Sequence, residues 1–180
     1  MTTNAVNMYI YHVWANKTML AHVKQLPEEV YEMEVKSVFP TVSTVMAHVY
    51  NTDRLWLDVM KGRSIREAMA EIGPVKNETE ARNIEEMERL YAELAEEYKA
   101  FFQEQQDMDR TITLDNPYAY IRETSYAEIV MHVVSHATYH RGNITAMLRQ
   151  MGYPSVMTDQ GMFWYMGEEN SRPRLAAAMG

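Results

Sequence analysis

Apolar residues recur at three- and four-residue spacing through four long stretches of the chain, and hardly anywhere at the two-residue spacing of a half-buried strand. The first stretch runs from about Ala5 to Leu26, with Val6, Ile10, Val13, Leu20 and Val23 near one face, and Pro27 interrupts it. The second starts at Pro40, where a fixed φ and a missing N–H cost least, and continues to Lys61 before Gly62 stops it. Residues 62–77 hold Gly73-Pro74 and read as a loop with at most one short turn. A third stretch covers Thr79 to Gln106, where Ile84, Met87, Tyr91, Leu94, Tyr98 and Phe101 step by three and four. The fourth opens on Ser125-Tyr126-Ala127-Glu128, the spacing of a capping box, and ends near Met151 with Gly152 behind it.

Between the third and fourth stretches, Thr111–Leu114 and Tyr118–Arg122 flank the turn residues Asp115-Asn116-Pro117. The pattern therefore predicts an all-α fold: an antiparallel four-helix bundle with a small hairpin or extended loop before the last long helix. No linker or internal repeat divides it. Residues 1–180 read as a single domain with 171–180 as a loose tail.

Composition sharpens this picture. A chain of 180 residues with 47% hydrophobic content can bury an ordinary core. With no Cys it has no disulfide, no thiolate metal ligand and no thiol nucleophile of its own, which fits a reducing cytoplasm. Met1-Thr2-Thr3-Asn4 lacks the features of a signal peptide, and no apolar run approaches the ~20 residues of a membrane span. The 16 Met residues are most simply core. Charge is uneven: Glu78 to Asp109 hold 11 acidic residues against Arg82, Arg89 and Lys99. Such a segment reads as a solvated helix face and argues against nucleic acid, which needs a basic footprint.

The candidate chemistry lies in histidine. In the fourth helix His132, His136 and His140 are each four residues apart. With His136 at 0° and 100° per residue, Ile129, Val133, Ile144, Met147 and Met151 fall between about 20° and 80°. His140 falls at about 40°, inside that stripe, whereas His132 points outward at about −40°. Neighbours at i and i+4 can share one ion, so a site uses His132 with His136 or His136 with His140, and the inward pair is favoured. His48 borders the inward face of the second helix beside Val45, Thr52, Leu55 and Val59 and offers a third ligand from a facing element. Imidazole suits zinc, nickel, copper or iron(II), and three protein ligands leave an open position. The competing interpretation is a set of hydrogen-bonded core histidines. His12 and His22 read as ordinary helix residues, Glu128 as a cap, and Trp14, Trp56 and Tyr139 as core or pocket walls. Arg141 and Asn143 either orient the ligands or a substrate anion, or bond between helices.

The segment His136-Ala137-Thr138-Tyr139-His140-Arg141-Gly142-Asn143-Ile144 resembles the His-x-x-x-His-Arg-Gly-Gln signature of the DinB-like (DinB/YfiT) family of metal-dependent enzymes, with Asn143 where Gln is common. Trp14-Ala15-Asn16, then Ala47-His48-Val49 with Asp53, Trp56 and Gly62, and finally Gly152-Tyr153-Pro154 with Asp159 and Tyr165 are similar to the family's other segments, in order. The resemblance implies a four-helix bundle, often a homodimer, whose metal ligands here would be His48, His136 and His140. It implies one divalent ion, zinc, nickel, manganese or iron. Activities of related bundles imply transfer of a low-molecular-weight thiol such as bacillithiol or mycothiol to a small-molecule electrophile. The alternatives are a metal-dependent hydrolase and a non-catalytic metal- or ligand-binding module. No catalytic side chain is assigned.

Overall fold

A computed structural model describes residues 4–166. Its elements are α1 (Asn4–Val23), a 3-10 turn (Glu28–Tyr31), α2 (Val42–Met60), α3 (Ile65–Glu80), α4 (Ile84–Glu104), β1 (Thr111–Asp115), β2 (Ile121–Ser125), α5 (Tyr126–Gln150) and α6 (Gln160–Met166). The fold is mostly helical with one small two-stranded sheet among the described residues. Helices α1 and α2 each pack against both α4 and α5, so the four long helices form a closed ring of contacts. No described helix is long and apolar enough to cross a membrane.

Helix starts follow local chemistry. Before α5, Ser125 accepts from the Glu128 N–H and Glu128 accepts from the Ser125 N–H, the reciprocal pairing read from the sequence. The same device acts at Thr41–Thr44, Ser64–Glu67 and Asn83–Glu86. It corrects two expected boundaries. α2 begins after Thr41 rather than at Pro40, and α4 begins after Asn83 rather than at Thr79, because a side-chain oxygen there satisfies the first free N–H groups. α1 closes at Val23, three residues before Leu26, through tighter bonds that end at Pro27. Gly62 and Gly152 adopt φ of 102° and 85° and end α2 and α5, the left-handed stops expected of them.

The largest correction is α3. Residues expected as loop form a helix with Pro74 inside it. Proline there gives up one backbone bond and crowds the preceding turn, at a cost of about 3 kcal/mol. The Ser64 capping box and the burial of Ile65, Ala68 and Thr79 on a helix packed against α2 offset that cost. Thr79 and Glu80, expected in the next helix, end this one. The hairpin pairs Thr111 with Ser125 through Asp115 with Ile121, so its second strand lies three residues later than expected. Helix α6 was not legible in the apolar pattern, and it packs Phe163 against Tyr11 and Trp14. The expected tail at 171–180 lies outside the described residues.

Two apolar clusters fill the interior. One gathers Tyr9, Leu57, Tyr98 and Val133, and the other Met19, Met46, Met87 and Met147. Those four methionines have essentially no exposure and fill the core, as composition suggested, whereas Met69, Met131, Met157 and Met166 are exposed. On the acidic helix α4, Glu88 and Glu97 pair with Lys24 and Lys61. These exposed pairs contribute little.

Truncating Met87 on α4 should destabilise the protein by about 2–5 kcal/mol through the cavity it leaves. Urea unfolding of Met87→Ala against wild type, with an unchanged m-value, checks this.

Candidate metal centre

Helix α2 carries His48 and helix α5 carries His136 and His140, and the packing of these helices brings the three rings together. Nε2 of His136 lies 3.1 Å from Nε2 of His48 and 3.1 Å from Nε2 of His140. One ligand atom from each of the three lies within 4.8 Å of the others. At metal–nitrogen distances of ~2.0–2.1 Å, two ligands at a right angle or a tetrahedral angle are about 2.8–3.4 Å apart. The observed spacing falls in that interval. These three residues could hold a metal ion.

Protonation states fit as well. Asn143 Oδ1 accepts from His140 Nδ1 at 3.1 Å, which leaves the lone pair on Nε2, the atom facing the cluster. Burial pushes His136 down to about 3, with His140, His48, His132 and His12 adding like-charge repulsion. Burial likewise lowers His48 to about 4, helped by His140 and Lys76. His140 is lowered by burial against the opposing bond to Asn143. Neutral imidazole is the form that binds a metal. An all-nitrogen set without carboxylate or thiolate favours zinc, nickel, copper or iron(II) over magnesium or calcium.

The surroundings are aromatic. Phe39 stands 5.0 Å from the His48 ring and 5.4 Å from His140, and Tyr139 lies 5.0 Å from His140. His132 stays outside the cluster, 5.9 Å from the His136 ring and edge-on to Trp56 at 5.2 Å. The structure thus brings together the inward pair with His48, and not His132. His132 and Trp56 line a cleft of about 840 Å³ with Leu114, Tyr120, Arg122 and Met131. A smaller pocket of about 190 Å³ touches His48 itself, between Thr52, Leu55 and Lys76.

Two flanking residues separate cleanly. Asn143 touches a candidate ligand, whereas Arg141 turns away and donates to Asn16 Oδ1 and Thr138 Oγ1, both at 2.8 Å. His12, expected as an ordinary helix residue, is buried 2.8 Å from Asp53. The available signal was two polar residues, His12 and Asn16, at i,i+4 among buried positions of α1.

The molecule is therefore a mostly helical protein with a three-histidine cluster able to hold a metal ion. The model of the DinB family matches residues 1–172, and the chain belongs to that family. It is 44% identical over 166 residues to Protein DinB of Bacillus subtilis (strain 168), covering 92% of this chain and 96% of that protein.

Because folding depresses the His48 and His136 pKa values below the ~6.5 of the unfolded chain, the unfolded state takes up protons first on acidification. Their contribution is intact above about pH 6.5 and is lost as pH falls toward 4 and then 3. The urea midpoint of metal-free protein should fall over that window. A His136→Gln variant should show a shallower fall.

Proposed function

We propose that His48, His136 and His140 bind one divalent ion, zinc, nickel, manganese or iron(II), and that the protein is an enzyme transferring a low-molecular-weight thiol to a small electrophile. The observation that carries this reading is the convergence of three neutral imidazole nitrogens, spaced 3.1 Å about His136 Nε2. Three neutral ligands would leave the charge of a dication uncompensated, so a loaded site would favour an anionic partner such as a thiolate. When bound, the ion supplies Lewis acidity that lowers the pKa of a thiol or water presented to it.

Thiol is preferred because the chain has no Cys, so a sulfur nucleophile enters only as a cosubstrate. In the reaction the thiol S–H proton passes to solvent, a sulfur–carbon bond forms, and the carbon–leaving-group bond breaks with its electron pair going to the leaving group. Asn143 holds His140 with its Nε2 lone pair forward. The cleft of about 840 Å³ beside His132, itself 5.9 Å from the His136 ring, offers Trp56, Leu114, Tyr120 and Met131 as walls for the electrophile. The same reading takes the chain as one domain built as an antiparallel four-helix bundle, acting as a homodimer in the cytoplasm.

Protein purified without chelator or affinity tag should contain about one divalent ion per chain by elemental analysis. A folded His136→Ala/His140→Ala variant should contain none. A panel of thiols and haloalkane or epoxide electrophiles, followed by mass spectrometry, should then show metal-dependent conjugates that the double variant does not make. Ester or amide cleavage without thiol consumption would identify a hydrolase instead. Stoichiometric metal with no turnover of any kind would identify a binding module.

A further inference from the structure

A second polar constellation is buried in the core, apart from the three histidines. Arg141, Asn16, His12 and Asp53 are each no more than 2% exposed. Arg141 Nη1 donates to Asn16 Oδ1 at 2.8 Å, Asn16 Nδ2 lies 3.0 Å from His12 Nε2, and His12 Nε2 lies 2.8 Å from Asp53 Oδ2. Arg141 Nη2 also donates to Thr138 Oγ1 and to the Tyr11 hydroxyl. Tyr98 of α4 donates to the backbone carbonyl of Asp53 at 2.7 Å.

The direction of this chain is what matters. It begins on α5 at the residue after His140, crosses α1 through Asn16 and His12, and ends on α2 five residues after His48. It therefore joins the two helices that carry the histidines by way of a third. Apolar packing is non-directional, so small slips of one helix along another cost little. Hydrogen bonds between buried charged groups weaken steeply with distance and angle, and a buried charge that loses its partner is strongly disfavoured. Burial pushes the Asp53 carboxyl up while His12 and Arg141 pull it down, so each member depends on the others. A metal site needs its ligands held to within about 0.5 Å.

We propose that the buried chain Arg141–Asn16–His12–Asp53 is a positioning latch for the metal centre, fixing α2 against α5 so that His48 Nε2 meets His136 Nε2. The proposal rests on the reading of the three histidines as ligands. Its members touch neither metal nor substrate and act through the helices they join. His12 Nδ1, Asp53 Oδ1 and Arg141 Nε have no hydrogen-bond partner among the described residues, and His12 Nε2 serves Asn16 or Asp53 but not both, so the register is held by two bridges, Arg141–Asn16 from α5 to α1 and His12–Asp53 from α1 to α2.

Cobalt(II) titration of the full-length metal-free protein, against a competing chelator and followed by visible absorption, tests it. The variants are Asn16→Ala, which removes the acceptor for Arg141, Asp53→Asn, which removes the charge facing His12 but keeps an acceptor, and His12→Gln, which keeps a donor toward Asp53. Leu94→Ala serves as a control that removes buried apolar volume on α4 without touching the network. Each is measured well below its own melting midpoint, with circular dichroism showing a folded protein. Asn16→Ala and Asp53→Asn should weaken cobalt binding by about 10–100-fold. His12→Gln should weaken it less, and Leu94→Ala should lower the melting temperature while binding cobalt as wild type does. Should Asp53→Asn fail to fold, Asn16→Ala decides alone. Wild-type affinity in Asn16→Ala, or an equal loss in Leu94→Ala, overturns the latch. A wild-type protein that takes up no cobalt refutes the three-histidine reading itself, and the latch with it.

Discussion

His136 Nε2 faces two other imidazole nitrogens at once, each 3.1 Å away. Two lone pairs at that distance repel, and a single proton relieves one contact but not both. Adding protons is opposed by burial and by the neighbouring rings, which hold His136 near 3 and His48 near 4. A cation with several open coordination positions satisfies all three nitrogens together. The arrangement is thus unfavourable as three bare imidazoles, and an ion could relieve it.

Helix α5 does this with two of its faces. One carries His136 and His140, and Asn143 fixes the tautomer of the second. The next residue, Arg141, lies about 100° further round and enters the core, where it meets Asn16 of α1. A single turn of helix therefore serves both the candidate site and the polar chain that returns to α2 at Asp53. Capping boxes at Thr41 and Ser125 set where the two histidine-bearing helices begin, and so the axial position from which each side chain projects.

Function in this reading comes from what the protein withholds as much as from what it supplies. Three neutral donors add no negative charge, the chain has no thiol of its own, and the aromatic rings beside the cluster are Phe39 and Tyr139. The family match spans residues 1–172 and so includes every residue of the cluster.

Much was legible in the one-dimensional pattern because it is local. The four long helices follow from three-and-four periodicity, the start of α5 from Ser125 and Glu128, and the ends of α2 and α5 from Gly62 and Gly152. The pairing of His136 with His140 needed only the pitch of a helix. Other features depended on contacts distant in sequence. Helix α3 survives Pro74 because it is capped by Ser64 and packs on α2, and α6 is too short for its periodicity to register. His12 looked unremarkable because its partner Asp53 is 41 residues away, and Arg141 looked like a neighbour of the site until its side chain was seen to turn toward α1. Sequence alone therefore determined which residues share a helical face, since that is a property of the backbone screw. Only the tertiary structure decided which faces meet and which polar groups they pair, because those contacts are set by packing between helices.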